Sequence, residues 1–278
     1  MNEFLSFYTP PMPAMRSYRE TIDIAVEHGV TAVEGLNSFE FETPDPAVAR
    51  ELRAYADSRG VKFSCFSVFC CLVGENTEEE IAKVKAYADV AAILGAPYLH
   101  HTIACEYSDP NKILPYSEEY FAQGIRAVRE IYDYAAERGV KTIYEDQGYL
   151  FNGVKNFGRF LNEVDREVGV VADFGNITMA GEDIVSFLKV FAPRVCHVHI
   201  KDVHMTADNP DGSGLKTLDG RYMHEVPLGT GDVPFAEGMK LLREAGYNGY
   251  YALETTATDN TPEAVSALLN CASALIGA

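Results

Sequence analysis

The chain has 278 residues, of which 47% are hydrophobic and 23% charged. A chain of this length buries roughly three quarters of its unfolded surface, so its core needs no disulfide or metal to be stable. The formal net charge of −18 makes nucleic acids and anionic membranes poor partners, because like charges repel one another over long range.

The cysteines and the first residues indicate a reducing compartment. The six cysteines lack the spacing of a zinc site or a C-x-x-C pair and mostly lie among apolar residues, as small core side chains do; they are Cys65, Cys70, Cys71, Cys105, Cys196 and Cys271. The opening MNEFLSFYTPPMP has no basic segment followed by an apolar stretch, so no secretory signal is visible. No apolar run approaches the length of a membrane span. We expect a cytoplasmic protein.

The opening FLSFYT predicts a first strand, after which one pattern recurs along the chain. An amphipathic stretch ends at a small residue, and a short apolar run rich in β-formers follows. TEEEIAKVKAYADVAAIL, SEEYFAQGIRAVREIYDYAAER and the final TPEAVSALLNCASALI are typical of amphipathic helices. Glycines stand where a helix C-cap requires positive φ, at Gly29, Gly60, Gly95, Gly139 and Gly169.

Counting the runs gives eight strands that alternate with helices. This alternation predicts parallel pairing with right-handed crossovers. An open doubly wound sheet would place a G-x-G-x-x-G motif after its first strand, and the chain has none. The sequence therefore predicts a single-domain (β/α)₈ TIM barrel over residues 1–278.

One connection is unusually long. About thirty residues follow the seventh predicted strand, VHMTADNPDGSGLKTLDGRYMHEVPLGTGD. A loop of this length is usually functional or disordered. Since it follows a strand, it would lie on the catalytic face of a barrel. We interpret it as part of a substrate pocket or lid rather than a mere insertion.

Metal-type side chains end four successive predicted strands. TIYED presents Glu145, VVADFGN presents Asp173, CHVHIKD presents His197 and His199, and YYALET presents Glu254. Each alone has an ordinary interpretation as a surface charge, an Asx turn or a core histidine. Because barrel strands end together at one rim, the set predicts a site for a divalent cation.

These strings carry a family resemblance. RVCHVHIKD (194–202), with VVADFGN before it and YYALET after it, resembles the xylose-isomerase-like sugar phosphate isomerase/epimerase superfamily, and so does the G-x-G-D of PLGTGDVPF. The resemblance follows the element order over nearly the whole chain. It implies that one divalent metal is held by a Glu, an Asp, a His and a Glu, which match Glu145, Asp173, His199 and Glu254. The family's ligand is the second histidine of the H-x-H, so His197 would lie one layer deeper, hydrogen-bonded within the barrel.

The donor set indicates the metal and the chemistry. A mostly oxygen shell with one imidazole suits Mn²⁺ first, with Mg²⁺, Co²⁺ and Zn²⁺ as alternatives. Such a metal stabilises the enediolate that forms when a proton leaves the carbon next to a carbonyl. Glu145 and Glu254 would move that proton from one face to the other, while Asp173 and His199 hold the metal.

Further residues are candidates for substrate contacts. His101 ends the fourth strand and would point inward if Leu99 and Ile103 do. Lys201 shares the His199 face, and Asp202 is an alternative partner for Lys201. Arg221 and His224 lie in the long connection. Asn176 stands three residues after Asp173, where related 3-epimerases often carry a histidine; these enzymes also carry an arginine shortly after the seventh-strand histidine, where this chain reads KDVHMT.

The sequence leaves four functions open. A metal-dependent isomerase or epimerase of a small polyhydroxylated substrate comes first. A lyase on the same scaffold comes second, either a keto-inositol dehydratase or a 3-keto-glycoside-cleaving enzyme; it would need a further acid such as His101 or His224. A three-zinc endonuclease is disfavoured by seven histidines and a charge of −18, and a non-catalytic sugar-binding barrel completes the set. Homo-oligomers are common among the resembling proteins, so self-association is also an expectation.

Overall fold

Eight strands of the chain close into a barrel in a computed structural model of the protein. The structure describes residues 2–8, 10–104, 117–210, 212–256, 259 and 261–277. The barrel strands are β1 (Leu5–Phe7), β2 (Ala32–Leu36), β3 (Lys62–Val68), β4 (Tyr98–His101), β5 (Lys141–Glu145), β6 (Gly169–Asp173), β7 (Val195–Ile200) and β11 (Tyr251–Leu253). They follow one another around the ring in chain order, and every neighbouring pair is parallel. The predicted (β/α)₈ barrel is confirmed.

Helices separate the strands and surround the barrel. Among the described residues they are α1 (Tyr18–Glu27), α2 (Pro46–Arg59), α3 (Thr77–Leu94), α4 (Glu118–Ala136), α5 (Val154–Val164), α6 (Ile184–Phe191), α7 (Phe235–Glu244) and α8 (Pro262–Gly277). Side-chain caps start several of them: Ser17 and Ser117 each accept a hydrogen bond from the amide three residues later. None of the described helices is long and apolar enough to cross a membrane.

Glycine punctuation is confirmed at four of the five predicted positions. Gly29, Gly60, Gly95 and Gly139 have φ between 69° and 72°, at or just beyond helix ends. Gly169 is a correction, because it is the first residue of β6. A Cβ there would lie 2.4 Å from the sulfur of Cys196, so close packing inside the barrel requires the glycine. The preceding helix, α5, ends instead at a non-glycine residue in the left-handed region, with φ 50°.

The barrel interior is divided into an apolar floor and a polar upper part. Cys65, Ile143 and Val171 form a small buried cluster inside the ring. A larger apolar core lies between the barrel and the helices. Of the six cysteines, the five that the structure describes are free thiols, and Cys105 lies outside the described residues. Above this floor the side chains that point into the barrel are polar, and the candidate functional site lies among them.

The long connection after β7 forms a small antiparallel sheet, which the sequence did not predict. Its strands are β8 (Asp202–Thr206), β9 (Leu215–Lys216) and β10 (Tyr222–Val226), in the order β8-β10-β9. Met223 and Val203 of this sheet pack on Tyr149 and Met179, which follow β5 and β6. The Tyr149 hydroxyl also donates to the Lys216 carbonyl at 2.7 Å. The connection is therefore fastened to the catalytic face of the barrel.

Candidate metal centre and active site

Four metal-type side chains meet at the carboxyl-terminal mouth of the barrel. They are Glu145 in β5, Asp173 in β6, His199 in β7 and Glu254 directly after β11. One donor atom from each lies within 4.8 Å of the others. His199 Nδ1 lies 2.9 Å from Glu145 Oε2, 3.4 Å from Glu254 Oε2 and 3.8 Å from Asp173 Oδ2. The structure thus brings together all four ligands that the resemblance implies.

The strand register explains this convergence. Asp173 pairs with His199 across β6 and β7, and His199 pairs with Ala252 across β7 and β11. The amide of Glu254 continues this ladder by donating to the Ile200 carbonyl at 3.0 Å. Neighbouring parallel strands in register project their last inward side chains toward a common point. The sequence needs only one donor at each strand end to build the cluster.

The cluster fits a divalent cation. Asp173 Oδ2 and Glu254 Oε2 are buried and make ion-pair contacts, yet neither accepts a hydrogen bond from a described residue. Buried carboxylate oxygens that lack hydrogen-bond donors are costly unless a cation satisfies them. Three carboxylates and one imidazole are a suitable donor set for a hard or borderline metal ion.

Lys201 adds a positive side chain to this cluster. Its ammonium lies 2.7 Å from Glu254 Oε1 and 3.3 Å from Asp173 Oδ2. It also donates to Asn176 Oδ1 at 3.2 Å. Asn176 in turn donates to Glu145 Oε1 at 2.9 Å. Lys201 and Asn176, both predicted as substrate contacts, are therefore held at the metal-type cluster.

Burial and neighbouring charges act in opposite directions on the carboxylates. Burial raises the pKa of Asp173 well above its ordinary value, and the charges of Glu254 and Glu145 add to that rise. Burial would also raise the pKa of Glu254, but Lys201 and His199 reverse the effect and leave it low. For Lys201 the attraction of Asp173 and the two glutamates outweighs burial and raises its pKa. Glu254 is thus a carboxylate, and Lys201 is an ammonium ion.

A buried carboxylate that the sequence did not predict lies below the cluster. Glu34, in β2, has no exposed surface. Its Oε2 lies 2.7 Å from His197 Nε2, and its Oε1 lies 3.2 Å from His199 Nε2. His197 occupies the deeper, hydrogen-bonded position that was expected for it. The sequence carries a signal for Glu34, because a glutamate interrupts the apolar run of TAVEGL.

His100, rather than His101, faces the chamber, which is the polar space inside the barrel around the four metal-type residues. His100 Nδ1 lies 3.0 Å from Ser67 Oγ, and His100 Nε2 lies 3.7 Å from Glu145 Oε2. His101 turns to the helix side of β4, where its Nε2 lies 2.7 Å from the Tyr144 hydroxyl. Leu99 shares that face and packs in the outer core, as Ile103 does, so the condition for an inward His101 is not met and its predicted substrate contact is corrected. Burial lowers the pKa of His101 to about 3, which keeps it neutral.

The two candidates in the long connection lie apart from the metal-type cluster. Arg221 pairs with Asp219 at 2.7 Å and is half exposed. His224 contacts Thr206 and Ser213 within the small sheet. Neither is in contact with the four metal-type residues in the described part of the chain. The alternation of β10 directs Met223 toward the barrel and leaves His224 on the other face.

Asp202 organises the glycine turn of PLGTGD instead of pairing with Lys201. Its Oδ2 accepts from the amides of Gly229 and Gly231, both at 2.8 Å. A Cβ at Gly231 would lie 2.3 Å from the Asp202 carboxylate, so the turn needs glycine for close approach. The motif therefore anchors the return of the connection to the barrel.

Fold and site together define a TIM barrel with a metal-type centre at its catalytic mouth. The family model described as xylose isomerase-like TIM barrel matches residues 22–272. The chain belongs to this family, as the sequence resemblance indicated.

Relatives and solved structures within this group differ in their reactions. An inosose dehydratase of Geobacillus thermodenitrificans is 25% identical over 240 residues, which cover 80% of this chain and 78% of that protein. The IOLI protein, solved with a zinc atom, matches with a TM-score of 0.76 at 19% identity over 98% of both chains. D-psicose 3-epimerase from Clostridium cellulolyticum H10 also has a TM-score of 0.76, at 15% identity over 98% of both chains. The similarity supports an enzyme superfamily of sugar metabolism with metal-binding members.

Proposed function

We propose that the protein is a metal-dependent dehydratase of a small, uncharged polyhydroxylated ketone. One observation carries the proposal: a buried lysine ammonium lies inside a cluster of metal-type donors, 2.7 Å from one carboxylate and 3.3 Å from another. This combination offers a base, an acid and a cation site in one chamber. The similarity to inosose dehydratase over 80% of the chain supports the loss of water.

Glu145, Asp173, His199 and Glu254 would hold the cation. When bound, the cation supplies positive charge beside the substrate oxygen that becomes negative. The donor set favours Mn²⁺ as its identity, and the zinc atom in a similar structure keeps Zn²⁺ as an alternative. The substrate is proposed to be uncharged because the chamber already contains several carboxylates.

Glu145 is proposed as the base. Asn176 donates to its Oε1 at 2.9 Å, which orients the carboxylate at the mouth. It would take the proton from the carbon next to the carbonyl, and the electron pair of that C–H bond would form the enolate double bond. A positioned base contributes about 10²–10⁴ in rate.

Lys201 is proposed as the acid. The enolate electrons would re-form the carbonyl and expel the hydroxyl from the neighbouring carbon, and the Lys201 ammonium would protonate that hydroxyl to water. The proton gained by Glu145 then returns to Lys201, so the balance is one substrate to one dehydrated ketone and one water. His101 and His224, considered as acids from the sequence, lie away from this chamber.

Isomerisation or epimerisation is the second candidate. Glu145 and Glu254 approach His199 Nδ1 from different strands, at 2.9 and 3.4 Å. Such a pair could take a proton from one face of the substrate and return it to the other. The ion pair with Lys201 lowers the pKa of Glu254, which makes Glu254 a weaker base for the second proton transfer of this reaction.

Turnover in D₂O distinguishes the two reactions. The metal-loaded protein would be incubated with inosose, ketohexoses and 3-keto-glycosides and followed by NMR and mass spectrometry. The dehydratase proposal predicts a product lighter by one water. An isomerised or epimerised product with carbon-bound deuterium would favour the second candidate. Stoichiometric metal binding without turnover of any substrate class would favour a sugar-binding barrel.

A further inference from the structure

Glu145 and His199 of the metal-type cluster form a closed ring of contacts with the polar residues below them. Glu34 Oε1 contacts both Ser67 Oγ at 2.6 Å and His199 Nε2 at 3.2 Å. Ser67 Oγ contacts His100 Nδ1 at 3.0 Å. His100 Nε2 and His199 Nδ1 both approach Glu145 Oε2, at 3.7 and 2.9 Å. The ring joins β2, β3, β4, β5 and β7, and Glu34 is its deepest member.

The hydrogen positions in this ring follow from counting donors. A carboxylate accepts only, so His199 carries a hydrogen on Nε2 to bond with Glu34, and the hydrogen on Nδ1 that bonds with Glu145 would be replaced by a cation bound at the four donors. Ser67 has one hydroxyl hydrogen and gives it to Glu34 at 2.6 Å. The Ser67 oxygen is then an acceptor toward His100, whose hydrogen must lie on Nδ1. Both histidines therefore direct the opposite nitrogen toward Glu145.

We propose that Glu34 is a positioning residue that fixes the tautomers of His199 and His100. It holds His199 directly, leaving Nδ1 as the metal-binding nitrogen. It holds His100 through Ser67, leaving the buried Nε2, which has no hydrogen-bond partner among the described residues, as an acceptor for a substrate hydroxyl. The inference rests on the metal site of the proposed function, and it adds that one buried carboxylate prepares both nitrogens.

The burial of Glu34 supports this role over a purely structural one. Glu34, His197 and His199 are all fully buried. A buried carboxylate is costly, and an apolar residue would pack the same space without that cost. The second imidazole, His197, donates to Glu34 Oε2 at 2.7 Å. It satisfies the remaining oxygen and leaves Oε1 for Ser67 and His199.

Glu34→Gln tests the assignment in the Zn²⁺-loaded protein, since Zn²⁺ is diamagnetic. The amide retains the volume, but it cannot accept from donors on both of its ends. We expect the Zn²⁺ dissociation constant, measured by competition with a chelating dye, to rise about 10–100-fold. Two-bond ¹H–¹⁵N NMR should show His199 with hydrogen on Nε2 and His100 with hydrogen on Nδ1 in the wild type. Both assignments should be disturbed in the variant.

Ser67→Ala tests the contact of Glu34 with His100 through Ser67 separately from its direct contact with His199. It also keeps the proposal testable if Glu34→Gln does not fold. It removes only the hydroxyl, so His100 should lose its fixed tautomer while the His199 tautomer and Zn²⁺ affinity stay near wild type. Glu244→Gln, at an exposed ion pair with Lys240, is the control for loss of one negative charge.

Three results would overturn the proposal. The first is an unchanged Zn²⁺ affinity with unchanged histidine tautomers in Glu34→Gln. The second is an unchanged His100 tautomer in Ser67→Ala. The third is a second Zn²⁺ bound among Glu34, His197 and His199. If the wild type binds no metal at all, the proposed function fails. The His100 tautomer in Ser67→Ala would still decide whether Glu34 acts through Ser67.

Discussion

Replacing Lys201 by methionine should reveal how strongly the carboxylate cluster depends on positive charge. Lys201 is 7% exposed and is paired with Glu254 and Asp173. Removing one partner of a buried ion pair costs about 3–5 kcal/mol. At about 2 °C of Tm per kcal/mol for a chain of this size, the metal-free variant should melt about 6–10 °C below the wild type.

The loss of stability in Lys201→Met should become smaller as the pH falls. Burial raises the pKa of Asp173, and Lys201 lowers it. Without Lys201, the folded-state pKa of Asp173 lies still further above the unfolded value, so the folded variant takes up protons more readily than the unfolded chain. Stability is then regained as the pH falls. The Tm difference between variant and wild type should therefore shrink as the pH is lowered through the raised pKa of Asp173.

Added metal should rescue the variant. A divalent ion neutralises the same carboxylates and no longer meets the repulsion of the ammonium, so Mn²⁺ should raise the Tm of Lys201→Met by more than that of the wild type. The assay is thermal unfolding by circular dichroism with and without metal. Lys240→Met is the matched control, because Lys240 is 3.8 Å from Glu244 at an exposed pair. A metal-free Lys201→Met protein with wild-type Tm would refute the reasoning.

Three further predictions concern turnover and metal loss. For the isomerase or epimerase candidate, Glu254→Gln should lower kcat by about 10²–10⁴ because Glu254 is then one of the two proton-transferring groups, and a variant with full activity would remove Glu254 from that mechanism. His101→Phe should leave KM nearly unchanged because His101 contacts Tyr144 outside the chamber, whereas a large rise in KM measured by steady-state kinetics would place it at the substrate. Chelation should abolish activity and lower the Tm. The free energy of unfolding should fall by about 2.7 kcal/mol if the metal had been present at 100 times its dissociation constant, which calorimetry before and after dialysis measures. Unchanged activity would exclude a metal-dependent reaction.

The barrel and its donors were predictable because both follow local rules. Helix periodicity and positive-φ glycines locate the connections, and the carboxyl ends of parallel strands must meet at one rim. Glu145, Asp173 and Glu254 could thus be placed together without a structure. The prediction that Gly169 caps a helix was wrong, because glycine is favoured both at a helix C-cap and in a tightly packed strand.

The rest depended on information that is not local. β4 has only four residues, His100 and His101 adjoin, and nothing in YLHH fixes which of them faces inward; the packing of Leu99 in the outer core decides it. Glu34 lies 165 residues from His199, so only closure of the ring reveals their contact. The sheet formed by β8, β9 and β10 was hidden by its glycines and polar residues, which are typical of loops.

The most direct test of the central claim is anomalous diffraction from crystals grown with Mn²⁺ or Zn²⁺, measured on both sides of the metal's absorption edge. The account predicts one peak per chain. It should lie within about 2.0–2.2 Å of a carboxylate oxygen of Glu145, Asp173 and Glu254 and of Nδ1 of His199. A peak elsewhere in the barrel, or none at full metal occupancy in solution, would contradict it.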